Sequence, residues 1–254
     1  MSDVAGSSSG APEVHRSVSD VAGSSSGAPQ AHRSVKGVLI TLEGCDGCGK
    51  STQAALLCER LAACGLPVGP ASAPGTVIRE PGATPAGEAI RGVLLHGPSS
   101  LAPWTEALLY AAARAELVET VLLPELESGR VLILDRFVDS SLAYQGFARR
   151  LGVDEVLAVN QPGLRGLLPD LTLVLDVDPV VGLARAGGAG SADRIEAEGL
   201  EFQQRVAAGF AALARRWPER VRLIDGFRDV ELVAADVEAA ALEAVADAGL
   251  RLGD

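Results

Sequence analysis

The 254-residue chain has only two lysines, Lys36 and Lys50, and its formal charge is −11. Such a deficit of positive charge argues against a general affinity for nucleic acid or for an anionic membrane, because phosphate-bearing surfaces attract basic ones. Any phosphate has to be held locally. Long apolar runs are also missing: the Ala/Leu-rich stretch from Leu101 to Leu126 is broken by Glu106, Arg114, Glu116 and Glu119, so no membrane-spanning helix is expected. The first residues show no basic stretch followed by an apolar one, so no secretory signal is expected, and a cytoplasmic location is. Histidines stand only at 15, 32 and 96, and the four cysteines are Cys45, Cys48, Cys58 and Cys64. Cys45-x-x-Cys48 therefore lacks the further ligands of a zinc site. A redox pair is the other chemical reading, and small residues filling variable positions of a loop is the preferred one. A thiol near a helix N-terminus is still open to activation, because that environment lowers its pKa.

Residues Gly44 to Ser51 fit G-x-x-x-x-G-K-[ST], and their flanks suit the mechanics of a phosphate-cradling loop. Gly37 to Glu43 is an apolar, partly β-branched run that predicts a buried strand, and Thr52 to Cys64 has apolar residues at helical spacing. Gly44, Gly47 and Gly49 let successive N–H groups point into one hollow, to which the helix adds its positive end. Lys50 is expected to reach the β/γ-phosphates of a nucleoside triphosphate, and the Ser51 hydroxyl to ligate the accompanying Mg²⁺.

Residues 2 to 18 recur at 19 to 35 with two changes, Glu13 to Gln30 and Val14 to Ala31. Rich in Ser, Gly, Ala and Pro, this segment cannot bury enough surface to offset its ordering entropy, so 1–36 is expected to be a disordered tail. A spacer without a role is preferred over an interaction arm. The remainder, 37–254, reads as one α/β domain. Thr76 to Arg79 predicts a short second strand ending in Arg79, a position suited to an anion, with a surface ion pair to Glu80 or Glu88 as the plain alternative. Helices are predicted over Pro85–Leu95 and Pro103–Leu126, the second carrying Tyr110 and Arg114 one turn apart on one face. Val131 to Leu134 is a third strand ending in Asp135 and Arg136, a carboxylate for a Mg²⁺ water shell and a guanidinium for phosphate oxygens. Ser140, Ser141, Tyr144 and Gln145 follow at a helix start. Pro169 to Asp176 and Val221 to Asp225 are the fourth and fifth strands. Between them, Arg185 to Arg194 is a glycine-rich stretch with the composition of a mobile lid. Five mostly buried strands alternating with helices imply a parallel sheet covered on both faces.

These motifs together resemble the thymidylate kinase family. The residues that carry the resemblance are the phosphate loop, Arg79 to Gly82, Leu109 to Arg114, Asp135 to Phe137 with Ser140 to Gly146, Pro169 to Thr172 with Leu175 to Pro179, and Asp193 to Glu196. The resemblance implies a P-loop NTPase fold, a homodimer, and transfer of a phosphoryl group from ATP to dTMP with Mg²⁺. It implies ATP contacts from Gly44, Cys45, Asp46, Gly47, Cys48, Gly49, Lys50, Ser51, Thr52 and Arg185, and metal contacts from Ser51 and Asp135. For dTMP it implies that Asp46 faces the sugar 3′-hydroxyl, Arg79 and Arg136 hold the phosphate, Tyr110 stacks on thymine and Arg114 bonds its O4. Ser141 and Gln145 would lie near the base and Tyr144 under the sugar. The phosphate loop lacks the arginine found in one subgroup, so Lys50, Arg136, Asp46 and a lid arginine are the expected catalytic set, with Arg194 in that role and Arg185 holding nucleotide. Another kinase of the same fold is the competing activity. A weakly catalytic nucleotide-binding regulator is the competing class, and the intact Lys50, Asp135 and Arg136 argue against it.

Overall fold

The computed structural model describes residues 36–97, 100–186, 194–195 and 198–251. The expected tail, apart from Lys36, and the glycines between Arg185 and Arg194 lie outside them.

All strands pair in parallel in one five-stranded sheet of order β2-β3-β1-β4-β5. The central strands are β1 (Val38–Glu43), β3 (Val131–Asp135) and β4 (Leu171–Asp176), with β2 (Ile78–Arg79) and β5 (Val221–Asp225) at the edges. Because side chains alternate along a strand, β1 feeds two cores. Val38, Ile40 and Leu42 pack with Ile133 and Leu173 on one face, and Leu39 packs with Leu132, Leu134 and Val174 on the other. Helices α1 (Lys50–Ala63) and α9 (Val230–Asp247) cover the first face. The second is covered by α3 (Pro103–Leu117), α5 (Val138–Ser141), α6 (Val153–Leu164) and α8 (Leu200–Arg216). A parallel sheet buried on both faces explains why the central strands read as continuous apolar runs.

Local chemistry sets several boundaries. Thr84 caps α2 (Pro85–His96), its hydroxyl accepting from Gly87 N–H at 2.9 Å, with Pro85 at the first helical position where a missing N–H costs nothing. The long helix expected over 103–126 is helical throughout but not regular. α3 passes into a wider π-helical turn at Val118–Leu122 before α4 (Leu123–Glu127) resumes. Pro124 supplies the reason: it has no N–H and its ring crowds the carbonyl one turn earlier, so the ladder re-registers just upstream. A second π-helical segment, Leu142–Ala148, follows α5 and carries Tyr144 and Gln145. Finally, α7 (Pro179–Ala186) follows β4.

Candidate active site

The phosphate loop emerges from β1 at the carboxyl edge of the sheet and enters α1 through Gly49, whose φ of 100° no branched side chain would accept. Gly47 is constrained from outside as well. A Cβ there would stand 1.9 Å from Gly182 O, and one on Gly182 would stand 2.4 Å from Asp46 O, so α7 and the loop meet backbone to backbone. Lys50 is 7 % exposed and lies across the loop, donating to Cys45 O at 2.7 Å and Gly44 O at 3.2 Å. The Ser51 hydroxyl donates to Asp135 Oδ2 at 2.6 Å, uniting the start of α1 with the end of β3. A hydroxyl and a carboxylate at one point are hard oxygen donors that fit Mg²⁺, which keeps most of its shell for water and phosphate.

Arg136 has φ 74°, an uncommon backbone conformation for a residue with a side chain, and it is the centre of the site. Its guanidinium donates to Asp46 Oδ1 at 2.5 Å, Tyr144 Oη at 3.1 Å, Ser140 Oγ at 3.0 Å and Gly44 O at 3.1 Å. It also lies over the Tyr144 ring at 5.0 Å. The Asp46 carboxylate is opposed by burial, but the charges of Arg136 and Lys50 and hydrogen bonds from Gln203 and Tyr144 hold its pKa below the usual range. Behind it, the fully buried Glu43 accepts from Phe137 N–H at 2.8 Å, Ser140 N–H at 3.1 Å and Ser140 Oγ at 2.5 Å. Burial outweighs Arg136 and Ser140 there and lifts the Glu43 pKa to about 7.

A cleft opens in front of these groups. Asp46, Gly47, Lys50, Ser51, Arg79, Tyr110, Asp135, Arg136, Ser141, Tyr144 and Gln145 all line it, so most of the residues singled out in sequence converge on one space. Arg79 is exposed at its rim, and no described side chain pairs with it. The buried Ser141 hydroxyl has no partner among the described residues, which leaves a donor available to a ligand. Gln145 is fixed by donating to Glu106 Oε1 at 2.8 Å.

Of the expected residues, Gly44, Cys45, Cys48 and Gly49 of the loop, with Thr52, Arg114, Arg185 and Arg194, do not line the cleft. Arg114 is 2 % exposed and stands behind the wall, its Nε 2.8 Å from Glu80, with Nη1 on Asn160 Oδ1 at 2.5 Å and Nη2 on Phe137 O at 3.2 Å. Glu80 itself lines the cleft, and burial, working against Arg114, raises its pKa to about 7. Arg194 donates to Glu106 Oε2 at 2.7 Å and Leu94 O at 2.9 Å. Arg185 is exposed in the last turn of α7, and among the described residues nothing pairs with it. Thr52, also exposed, stands in the first turn of α1 beside the loop.

Sequence reasoning missed Arg91, which lines the cleft from α2 and donates to Pro81 O at 2.9 Å. Its signal was present: Arg91 and Leu95, one helical turn apart, share the cleft-facing side. It also missed Gln203, whose amide donates to Asp46 Oδ2 at 2.7 Å. The two loop thiols part company: Cys45 packs into the core under α8 and Cys48 into the core under α1, each almost fully buried. Burial pushes the Cys45 thiol up to about 12, so the helix end does not activate it.

The sequence model of the family described as Thymidylate kinase matches residues 42–237. A thymidylate kinase of Pelotomaculum thermopropionicum is 50% identical over 214 residues, covering 84% of this chain and 95% of that one. One from Leifsonia xyli is 48% identical over 199 residues, covering 78% and 91%. Among solved structures, the thymidylate kinase from Ehrlichia chaffeensis superposes with a TM-score of 0.65 at 29% identity, covering 81% of this chain and 98% of that one. With the family model spanning residues 42–237 and such relatives covered over nearly their whole length, this chain belongs to the thymidylate kinase family.

Proposed function

We propose that the protein phosphorylates dTMP to dTDP with ATP and Mg²⁺. The observation that carries this reading is the meeting of two anion-binding devices in one cleft. The phosphate loop with Lys50 supplies the donor side, and Arg79 with Arg136 supplies a second phosphate subsite facing it. A phosphoryl group moving between two bound phosphates needs little beyond positioning and positive charge along its path. Mg²⁺, held by Ser51 and Asp135, would neutralise charge on the transferring phosphates. Lys50 turns from the loop carbonyls to phosphate oxygens, and Arg136 joins it from the acceptor side. Asp46 takes the sugar 3′-hydroxyl, Tyr144 packs under the sugar, Tyr110 stacks on the base, and Ser141 and Gln145 supply polar contacts at its edge.

For Arg114, bonding thymine O4 requires its guanidinium to leave Glu80, Asn160 or Phe137 O and come forward from behind the cleft wall. Arg194 is assigned the catalytic lid role and Arg185 the nucleotide-holding one. For Arg194 that role requires exchanging Glu106 for phosphate. A homodimer belongs to the same reading, and the exposed Val93, Trp104 and Leu108 on α2 and α3 support it. A cytoplasmic location belongs to it too; no helix among the described residues is long and apolar enough to cross a membrane.

Turnover with a panel of nucleoside monophosphates tests the proposal. dTMP should be the preferred acceptor, with dUMP, which lacks one methyl group, slower by roughly 10- to 200-fold. Preference for a purine or ribonucleoside monophosphate would move the assignment to another kinase of the fold, and no ADP release with any acceptor would move it to a nucleotide-binding regulator.

A further inference from the structure

We propose that Gln203 is a positioning residue for the acceptor sugar: it sets the plane of the Asp46 carboxylate and so enforces the requirement for a 3′-hydroxyl. The inference rests on the reading of Asp46 given above.

Gln203 lies in the first turn of α8, 1 % exposed and 157 residues from Asp46 in the chain. Its Nε2 donates to Asp46 Oδ2 at 2.7 Å, and its Oε1 stands 3.5 Å from the Asp46 N–H. The backbone carbonyl of Gln203 accepts from the Cys45 thiol at 3.7 Å. The side-chain amide thus closes a ring with Asp46, engaging the carboxylate and the backbone of the same residue.

The other carboxylate oxygen is already committed. Oδ1 accepts from Arg136 at 2.5 Å and from Tyr144 Oη at 3.3 Å, which fills both of its lone-pair directions. Among the described residues Oδ2 has only Gln203, so the one direction left for a substrate hydroxyl is on the oxygen whose orientation Gln203 controls. The carboxylate torsion is a soft, broad one, and nothing intrinsic to Asp46 fixes its plane. Arg136 cannot be the fixed reference, since the acceptor phosphate draws its guanidinium. Gln203, buried and outside the cleft lining, is the partner that stays.

The test uses the full chain with Gln203→Leu, which removes the donor in an apolar side chain one atom shorter, and Gln203→Glu, which keeps the shape and sets a carboxylate against Asp46. KM for ATP, KM for dTMP, and kcat/KM for dTMP relative to 3′-deoxy-dTMP are measured for each. Loss of one hydrogen bond to a charged group predicts about a tenfold rise in KM for dTMP. KM for ATP should stay nearly unchanged, and the preference for dTMP over 3′-deoxy-dTMP should largely disappear. Gln203→Glu should give the same pattern, so the question is answered even if Gln203→Leu fails to fold. Retention of the 3′-hydroxyl preference by a folded variant overturns the proposal, as does an equal rise in both KM values, which would mark Gln203 as a staple between α8 and the loop. If the unsubstituted protein shows no preference for the 3′-hydroxyl, the reading of Asp46 fails first and this proposal falls with it.

Discussion

The Ser51 hydroxyl and Asp135 Oδ2 stand 2.6 Å apart although 84 residues separate them in the chain. The parallel register of β1 and β3 produces that meeting. Leu42 is level with Asp135, so the loop that follows β1 and the residues that end β3 leave the sheet side by side. Both proposed phosphate subsites are built on that edge, which is why local changes there should separate chemistry from folding.

Replacing Lys50 with Ala removes a cation that contributes little to either core. The fold should survive, as judged by circular dichroism and melting temperature, while kcat falls at least about 10²-fold, the scale for one preorganised electrostatic donor. Normal turnover by a folded variant would end the assignment of Gly44 to Ser51 as the phosphate loop.

Gly182→Ala tests whether α7 shapes that loop. The new methyl would sit 2.4 Å from Asp46 O, a backbone atom that cannot swing aside. Overpacking of this kind costs roughly 1–3 kcal/mol, and because the strain falls on the loop it should appear as ATP binding weakened about tenfold or more. Calorimetric titration with ATP measures it. Unchanged affinity would show that the loop has room the close approach to Gly182 denies.

Glu43 gives the protein a pH dependence of definite sign. Its carboxyl is raised from an ordinary 4.5 to about 7, so the neutral form is favoured in the fold. Its contribution to stability is therefore fully present below about pH 4.5 and is lost as pH rises through 7. Glutamine mimics the neutral form: its oxygen accepts from the Phe137 and Ser140 N–H groups and its amide donates to Ser140 Oγ. Glu43→Gln should flatten the change in melting temperature between pH 5 and pH 7.5. The buried Glu80, also raised to about 7, should keep a residual slope of the same sign. An unaltered slope in the variant would mean that Glu43 is ionised across this window. Asp46 and Glu106 shift the other way, so their effects belong to more acid pH.

The sequence made the strands legible because each central one is buried on both faces and so reads as an apolar run. The site was legible where its chemistry is contiguous: the glycines with Lys50 and Ser51, and Asp135 with Arg136. What escaped was pairing across the fold. Nothing near Gln203 in the chain announces Asp46 as its partner, and nothing in the Tyr110–Arg114 spacing shows that Arg114 turns inward to Glu80 and Asn160. Helical spacing places two residues on one side of α3, but packing decided that Tyr110 enters the cleft while Arg114 stays behind its wall. The π-helical turn before Pro124 has the same origin, since a periodicity of apolar residues does not register one displaced hydrogen bond.

Arg194 and Arg185 are the two candidates for the lid arginine, and their surroundings differ sharply. Arg194 is 8 % exposed and paired to Glu106, a carboxylate with no exposure that also holds Arg149 and Gln145. Arg185 is exposed and unpaired among the described residues. If Arg194 supplies the charge that meets the transferring group, Arg194→Ala should lower kcat by roughly 10³- to 10⁵-fold and spare both KM values, while Arg185→Ala chiefly raises KM for ATP. An anchoring role would look different. Because Glu106 orients Gln145 in the cleft wall, losing Arg194 would then lower the melting temperature and raise KM for dTMP with kcat largely intact. Measuring kcat, both KM values and the melting temperature for the two variants separates these outcomes. Near-normal kcat in Arg194→Ala together with its collapse in Arg185→Ala would transfer the catalytic role to Arg185, the guanidinium that has no buried ion pair to break before it can reach a phosphate.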